Sequence, residues 1–174
     1  MIIRKATKND IQSVADIYTE VQTAEEEGRL YVGWKKGIYP TACDAEKALA
    51  RDDLFVMEDG GKIVATAIIN QIQVDVYENA AWQHKASPKE VMVLHTLAVS
   101  TSAARRGYGR AFVDFYEEYA LENGCRNLRM DTNEKNLIAR AMYKKYGYSE
   151  IGIVPCVFNG LPNVNLVLLE KYLS

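Results

Sequence analysis

Gly107 and Gly109 stand among Arg105, Arg106 and Arg110 in the stretch TSAARRGYGR, residues 101–110. Glycine opens backbone angles closed to other residues and lets a ligand come close to the main chain. A nearly unbroken apolar run at 91–99 precedes the pair. A helical pattern follows, with Phe112, Phe115, Tyr116 and Tyr119 on one face and Gly124 as its stop. The first N–H groups of a helix lack intrahelical partners and lie at its positive end, so such a turn suits an anion, a phosphate above all. The arginines add charge on the same side, although a G-x-G turn between strand and helix can equally be structural. Spacing excludes two other phosphate binders. A dinucleotide fingerprint needs a third glycine where Phe112 stands, and a P-loop needs a Gly-Lys-Ser/Thr that the chain lacks.

A second group lies downstream. Asn136, Ala139, Arg140 and Tyr143 fall at i, i+3, i+4 and i+7, which puts them on one helix face while Leu137, Ala141 and Met142 pack inward. Tyrosine, with a reference pKa of about 10, can donate a proton once held in contact with an acceptor. His95 lies in the apolar run; its type suits a base near neutral pH, and a histidine satisfied within a sheet fits as well. His84, in a polar stretch, reads as solvated. Cys43, Cys125 and Cys156 are odd in number and lack metal-ligand spacing, so reduced thiols and no metal are expected.

The elements that carry these groups alternate. Ile2 and Ile3 open a short strand, and Thr7–Asp10 has the form of a capping box before a helix built on Ile11, Val14, Ile17 and Val21. Residues 29–42 mix Tyr31, Trp34 and Tyr39 with glycine and proline and read as a broken helix or loop, its aromatic groups either exposed or plugging the core. Residues 44–51 are a short helix. Residues 54–57 and 63–70 form a hairpin around Gly60-Gly61. Residues 72–89 read as an extension of that strand followed by a loop. After the central unit at 91–148, with a strand at 128–132 parallel to 91–99, residues 150–154 and 164–169 form a closing hairpin with Asn159-Gly160 in its loop. The order β, α, α, β, β, β, α, β, α, β, β implies one α/β domain on a mixed sheet.

Composition bounds the class. The chain has 174 residues, 48% hydrophobic and 25% charged, enough for one domain with a sizeable core. The net charge of -2 argues against a dedicated nucleic-acid binder. Residues 100–149 nevertheless hold nine Lys/Arg against six Asp/Glu, a local basic patch that suits a small polyanion. The start MIIRKATKND lacks the apolar run of a signal peptide, and no run reaches roughly 18 apolar residues, so a cytoplasmic protein without a membrane span is expected.

Over 91–148 the chain resembles the GNAT superfamily of acyl-CoA-dependent N-acyltransferases. Their hallmark, Gln/Arg-x-x-Gly-x-Gly/Ala after a long central strand, fits in two registers. Residues 106–111 (RGYGRA) match the letters. Residues 104–109 (ARRGYG) match the distance from Val99 and depart from the pattern at Ala104. The second is preferred, because the grip is mainly backbone. Asn136-x-x-Ala139 and Tyr143-x-x-x-Gly147-Tyr148 match further family elements. The resemblance implies a single N-acetyltransferase domain over 1–174 with its coenzyme-binding unit at 91–148. The implied architecture is about six to seven strands with splayed central parallel strands, flanked by about four helices. It further implies acetyl-CoA as co-substrate, held by Leu97, Ala98, Val99, Arg105, Arg106, Gly107, Tyr108, Gly109, Arg110, Asn136 and Ala139. Tyr143 would be the proton donor to the leaving thiolate. Backbone N–H groups around residues 97–99 would polarise the thioester carbonyl. His95 would be the base, as in the similar strand of arylalkylamine N-acetyltransferases. The acceptor would be a primary amine, a small molecule before a peptide or protein, and a homodimer through the C-terminal strands is compatible. A non-catalytic acyl-CoA-binding module is the alternative on the same fold.

Overall fold

The computed structural model describes residues 1–174. Its elements follow the expected order: β1 (Ile2–Lys5), α1 (Ile11–Glu26), α2 (Ala42–Ala50), β2 (Leu54–Asp59), β3 (Lys62–Asn70), β4 (Val91–Val99), α3 (Tyr108–Glu122), β5 (Asn127–Asn133), α4 (Leu137–Lys145), β6 (Ser149–Phe158) and β7 (Leu161–Tyr172). One mixed seven-stranded sheet takes the order β1-β2-β3-β4-β5-β7-β6. β1 to β3 are antiparallel neighbours, β4 and β5 run parallel, and β5, β7 and β6 are antiparallel again. Packing divides the chain into two compact units, and β4 and α3 each contribute residues to both.

The first unit comprises Met1–Leu30, Trp34–Ile69 and His95–Phe115. Its first helix is set by a capping box, in which the Thr7 backbone N–H and hydroxyl donate to Asp10 at 2.7 and 2.9 Å. The guanidinium of Arg4 holds the same carboxylate at 2.8 and 3.0 Å. α1 buries Val14, Ile17, Tyr18, Val21 and Ala24, its helical stripe. The aromatic segment that follows is a loop. Trp34 packs edge-on against Tyr18 and Tyr39, ring centroids 6.0 and 6.4 Å away, so part of the segment does plug the core. The Gln22 amide donates to the carbonyls of Tyr39 and Pro40, tying the loop to α1.

The second unit comprises Tyr31–Gly33, Asn70–Leu94 and Tyr116–Ser174. Within it β4 pairs with β5 from Val91↔Asn127 to Leu94↔Met130, and both strands continue beyond that ladder. The Tyr116 hydroxyl, fully buried on α3, donates to the carbonyls of Met92 at 2.7 Å and Arg129 at 3.2 Å, one in each strand. β6 and β7 are longer than expected and run up to Asn159-Gly160. Both turn residues have positive φ, 47° and 81°, as a two-residue hairpin turn of this type requires.

Two expectations need correction. Residues 72–89 do not extend β3; they form irregular chain with single helical turns at Asp75–Tyr77 and Pro88–Glu90. Aromatic anchors take the place of ladder pairing here. Tyr77 sinks into an apolar cluster with Val91, Val93, Leu166 and Leu168, and Trp82 packs edge-on against it at 5.1 Å while Arg129 covers the Trp82 ring at 4.1 Å. On α4 the inward face also differs from expectation. Leu137 is 67% exposed and Ala141 is exposed, whereas Tyr143 is buried. A tyrosine ring removes more apolar area from water than an alanine, and it decides which way this short helix turns.

Candidate active site

β4 is straight only in its first half. Thr96 has φ 51°, a left-handed conformation that is a genuine outlier for a β-branched residue in a strand. Such a residue persists only when its surroundings hold it, and the Tyr39 hydroxyl shares a 2.5 Å hydrogen bond with the Thr96 hydroxyl. The kink changes the course of the strand ahead of Leu97, Ala98 and Val99, the residues whose amides the sequence singled out. His95 immediately precedes the kink and is half-buried.

The glycine turn follows. Glu20 of α1 accepts hydrogen bonds from the Ser100 hydroxyl at 2.7 Å and the Thr101 backbone N–H at 2.9 Å, fixing the point where the chain leaves β4. Arg105 and Gly107 then both take positive φ, 64° and 81°. α3 begins at Tyr108, and its first intrahelical bond runs from the Ala111 N–H to the Gly107 carbonyl at 2.9 Å. The first-turn amides therefore have no acceptor within the helix. Arg105, Arg106 and Arg110 are exposed around this terminus. The arrangement fits a pyrophosphate: a reversed backbone, a helix N-terminus and mobile cations together. Tyr108 enters through its backbone alone, because its side chain is buried and its hydroxyl donates to Asp59 at 2.5 Å.

The downstream residues separate into two kinds. Asn136 is the N-cap of α4: its side-chain oxygen accepts from the Ala139 N–H at 3.2 Å and its amide donates to the Thr132 hydroxyl at 3.2 Å. The Asn-x-x-Ala spacing is thus the spacing of a helix cap. Arg140 is paired with Glu150 at 2.7 and 2.8 Å. Tyr143 differs. It is 6% exposed, it packs edge-on against Tyr148 at 5.9 Å, and its hydroxyl makes no hydrogen bond within the protein. Burial, and then the negative charge of Asp131, push its phenol well above the usual value.

Asp131 was not singled out in the sequence. It lies on β5 between buried Met130 and half-buried Thr132, and a lone acid directly after an apolar strand residue was the available signal. Tyr77 donates to one of its oxygens at 2.7 Å, and burial raises its carboxyl to about 6. Glu26 is paired with Lys36 at 2.8 Å and Glu27 with Arg29 at 2.7 Å. No three His, Cys, Asp or Glu side chains gather into a metal-binding group. No helix is long and apolar enough to cross a membrane.

The profile of the acetyltransferase (GNAT) family matches residues 13–148. The uncharacterized N-acetyltransferase YhfO of Bacillus subtilis (strain 168) is 33% identical over 64 residues, 37% of this chain and 43% of that protein, so the match spans less than half the length of this relative. The fold is shared with a GNAT-family acetyltransferase from Streptococcus agalactiae 2603, at TM-score 0.83 and 21% identity over 99% of this chain and 95% of that one. It is shared also with yncA from Salmonella typhimurium, a structure with its cofactor acetyl-CoA, at TM-score 0.70 and 17% identity over 100% and 94% of the two chains. A kinked strand feeding a glycine turn, with a profile match over most of the length, assigns the chain: it belongs to the acetyltransferase (GNAT) family.

Proposed function

We propose that the chain is a single acetyltransferase domain that moves the acetyl group of acetyl-CoA to the nitrogen of a small primary amine by direct attack. The observation that carries this reading is the turn at 104–110, with its two left-handed residues opening α3. Family membership and the acetyl-CoA in the yncA structure support the choice of ligand.

In this reading the amides of Gly107, Tyr108, Gly109 and Arg110 hold the pyrophosphate, and Arg105 and Arg106 neutralise the remaining phosphate charge. Amides of Leu97, Ala98 and Val99 lie along the strand after the Thr96 kink and polarise the thioester carbonyl as charge develops on its oxygen. Asn136 and Ala139 complete the coenzyme-facing set and fix the start of the helix that bears Tyr143. The amine nitrogen forms its bond to the acetyl carbon, the carbon–sulfur bond breaks, and Tyr143 supplies a proton to the departing sulfur, to be reprotonated from solvent. A phenol held above its usual pKa remains protonated at neutral pH, so it enters the step as a donor. His95 takes the proton lost by the amine.

The test is acetyl-CoA-dependent release of free thiol over a panel of small primary amines, polyamines and peptides. Thiol release with at least one small amine, matched by formation of its N-acetyl product, is the expected result. Tight binding of acetyl-CoA with no product from any amine would overturn catalysis in favour of a binding module.

A further inference from the structure

Of the buried carboxylates in this protein, two have cationic partners and Glu170 accepts from the backbone N–H of Gln83 at 2.7 Å. Asp10 is held by Arg4 and by Thr7, and Asp53 by Arg51 at 2.8 and 3.1 Å. Asp131, half-buried on β5, is arranged differently. Its one hydrogen bond within the protein comes from the Tyr77 phenol, which fixes Oδ2 at 2.7 Å and leaves Oδ1 without a protein donor. The surroundings are apolar. In the register of β5 and β7, Asp131 lies opposite Leu168 and shares its sheet face with Arg129, and Tyr77 belongs to the cluster of Val91, Val93, Leu166 and Leu168. Trp82, Val154, Cys156 and Phe158 are partly buried at the margin of that cluster. A carboxylate in such a place is costly unless it is paired, and one neutral donor engages only one of its two oxygens.

We propose that Asp131, with one oxygen fixed by Tyr77, recognises the ammonium group of the acceptor through its other oxygen, and that the acceptor is a primary amine with an apolar body. The proposal rests on the acetyltransferase reading for what happens to the amine afterwards, and on the carboxylate's own geometry for its recognition. The body of the amine meets the apolar margin formed by Trp82, Val154 and Phe158. The groups whose charge bears on Asp131 are few: Tyr77 on the irregular segment, Tyr143 on α4 and Cys156 on β6, all neutral at pH 7. The Arg129 cation acts on Tyr77 and is itself opposed by Glu170 on β7. The paired stretch of β4 facing this side presents Val91 and Val93. Burial places the Asp131 carboxyl at about 6, so it is ionised above that pH and recognition of a cation fades as pH falls below it.

The test uses the full chain with phenethylamine as probe and its neutral isostere 2-phenylethanol as control. Carboxyl-carbon NMR follows the titration of Asp131 with and without each compound, and calorimetry measures binding of phenethylamine and, separately, of acetyl-CoA. Phenethylamine is expected to lower the apparent Asp131 pKa from about 6 to about 5 or below, while 2-phenylethanol leaves it unchanged. Asp131→Asn, which keeps shape and can still accept from Tyr77, is expected to weaken phenethylamine at least about thirtyfold with acetyl-CoA affinity intact. An Asp131 titration indifferent to the amine, or an Asn variant that binds it as wild type does, would overturn the proposal. Coupling between amine and Asp131 in a protein that fails to bind acetyl-CoA would sustain the recognition site and overturn the acetyltransferase reading instead.

Discussion

The substitution Tyr143→Phe separates chemistry from folding more cleanly than any other in this protein. The ring is buried and rests edge-on against Tyr148, and phenylalanine preserves both features. The hydroxyl has no hydrogen bond within the protein, so its removal leaves no partner stranded. Stability is therefore expected to stay within about 0.5 kcal/mol of wild type, because the costly outcome, an orphaned buried donor or acceptor, does not arise. Turnover is expected to fall about 10²- to 10⁴-fold, the span for loss of a general acid, or about 2.7–5.4 kcal/mol of barrier at 1.36 kcal/mol per factor of ten. Acetyl-CoA should bind as before, since the phosphate contacts assigned above lie at 104–110. The assay joins three measurements on one preparation: thiol release under saturating amine, acetyl-CoA affinity by calorimetry, and urea unfolding. Turnover within about threefold of wild type would remove Tyr143 from the donor role. A destabilisation above about 2 kcal/mol would refute the premise that its hydroxyl is unengaged.

Replacing both Arg105 and Arg106 by alanine should weaken coenzyme A more than its dephospho form, since both side chains are exposed beside the turn; equal losses by calorimetry would argue against contact with the 3′-phosphate. Tyr116→Phe should destabilise the protein by about 1–3 kcal/mol in urea unfolding, because the lost hydroxyl serves carbonyls of both Met92 and Arg129 in a fully buried position. Arg4, and then Thr7, hold the Asp10 carboxyl down at about 2. A group depressed on folding contributes stability above its unfolded value of about 3.9 and loses it as pH falls through the folded value. Discounted for the partial exposure of Arg4, the contribution is about 1–2 kcal/mol. Asp10→Asn should flatten the acid stability profile between about pH 4 and 2; an unchanged slope there would place the titrating group elsewhere.

The order of elements and the glycine turn were legible because each depends on local rules. A capping box at Thr7–Asp10, a Gly-Gly hairpin and an Asn-Gly hairpin are set by residues that choose backbone angles for their own short segment. Residues 72–89 were not legible, because nothing in their spacing says that Tyr77 enters a cluster built by β4 and β7. The same limit applies to α4. Helical periodicity places Asn136, Ala139 and Tyr143 on a common face, but the exposure of Leu137 and Ile138 is decided by what lies beneath the helix.

The positive φ of Thr96 shows the limit most sharply. From sequence, 91–99 is an apolar strand and threonine is a good strand residue, so local propensity predicts a straight run. The structure instead holds this one residue left-handed, with the hydroxyl of Tyr39, a residue 57 positions earlier, bonded to it. A left-handed β-branched residue costs of order 1–3 kcal/mol, more than one hydroxyl–hydroxyl bond returns on average. The kink must therefore draw on the packing of the whole loop at 34–40, where Trp34 sits between Tyr18 and Tyr39 and Gln22 fixes the carbonyls on either side of Pro40. The aromatic loop, which the sequence alone reads as either a broken helix or a loop, is thus coupled to the course of the strand that delivers Leu97, Ala98 and Val99. On this argument Tyr39→Phe should lower turnover and stability together, in contrast to Tyr143→Phe, where the two part.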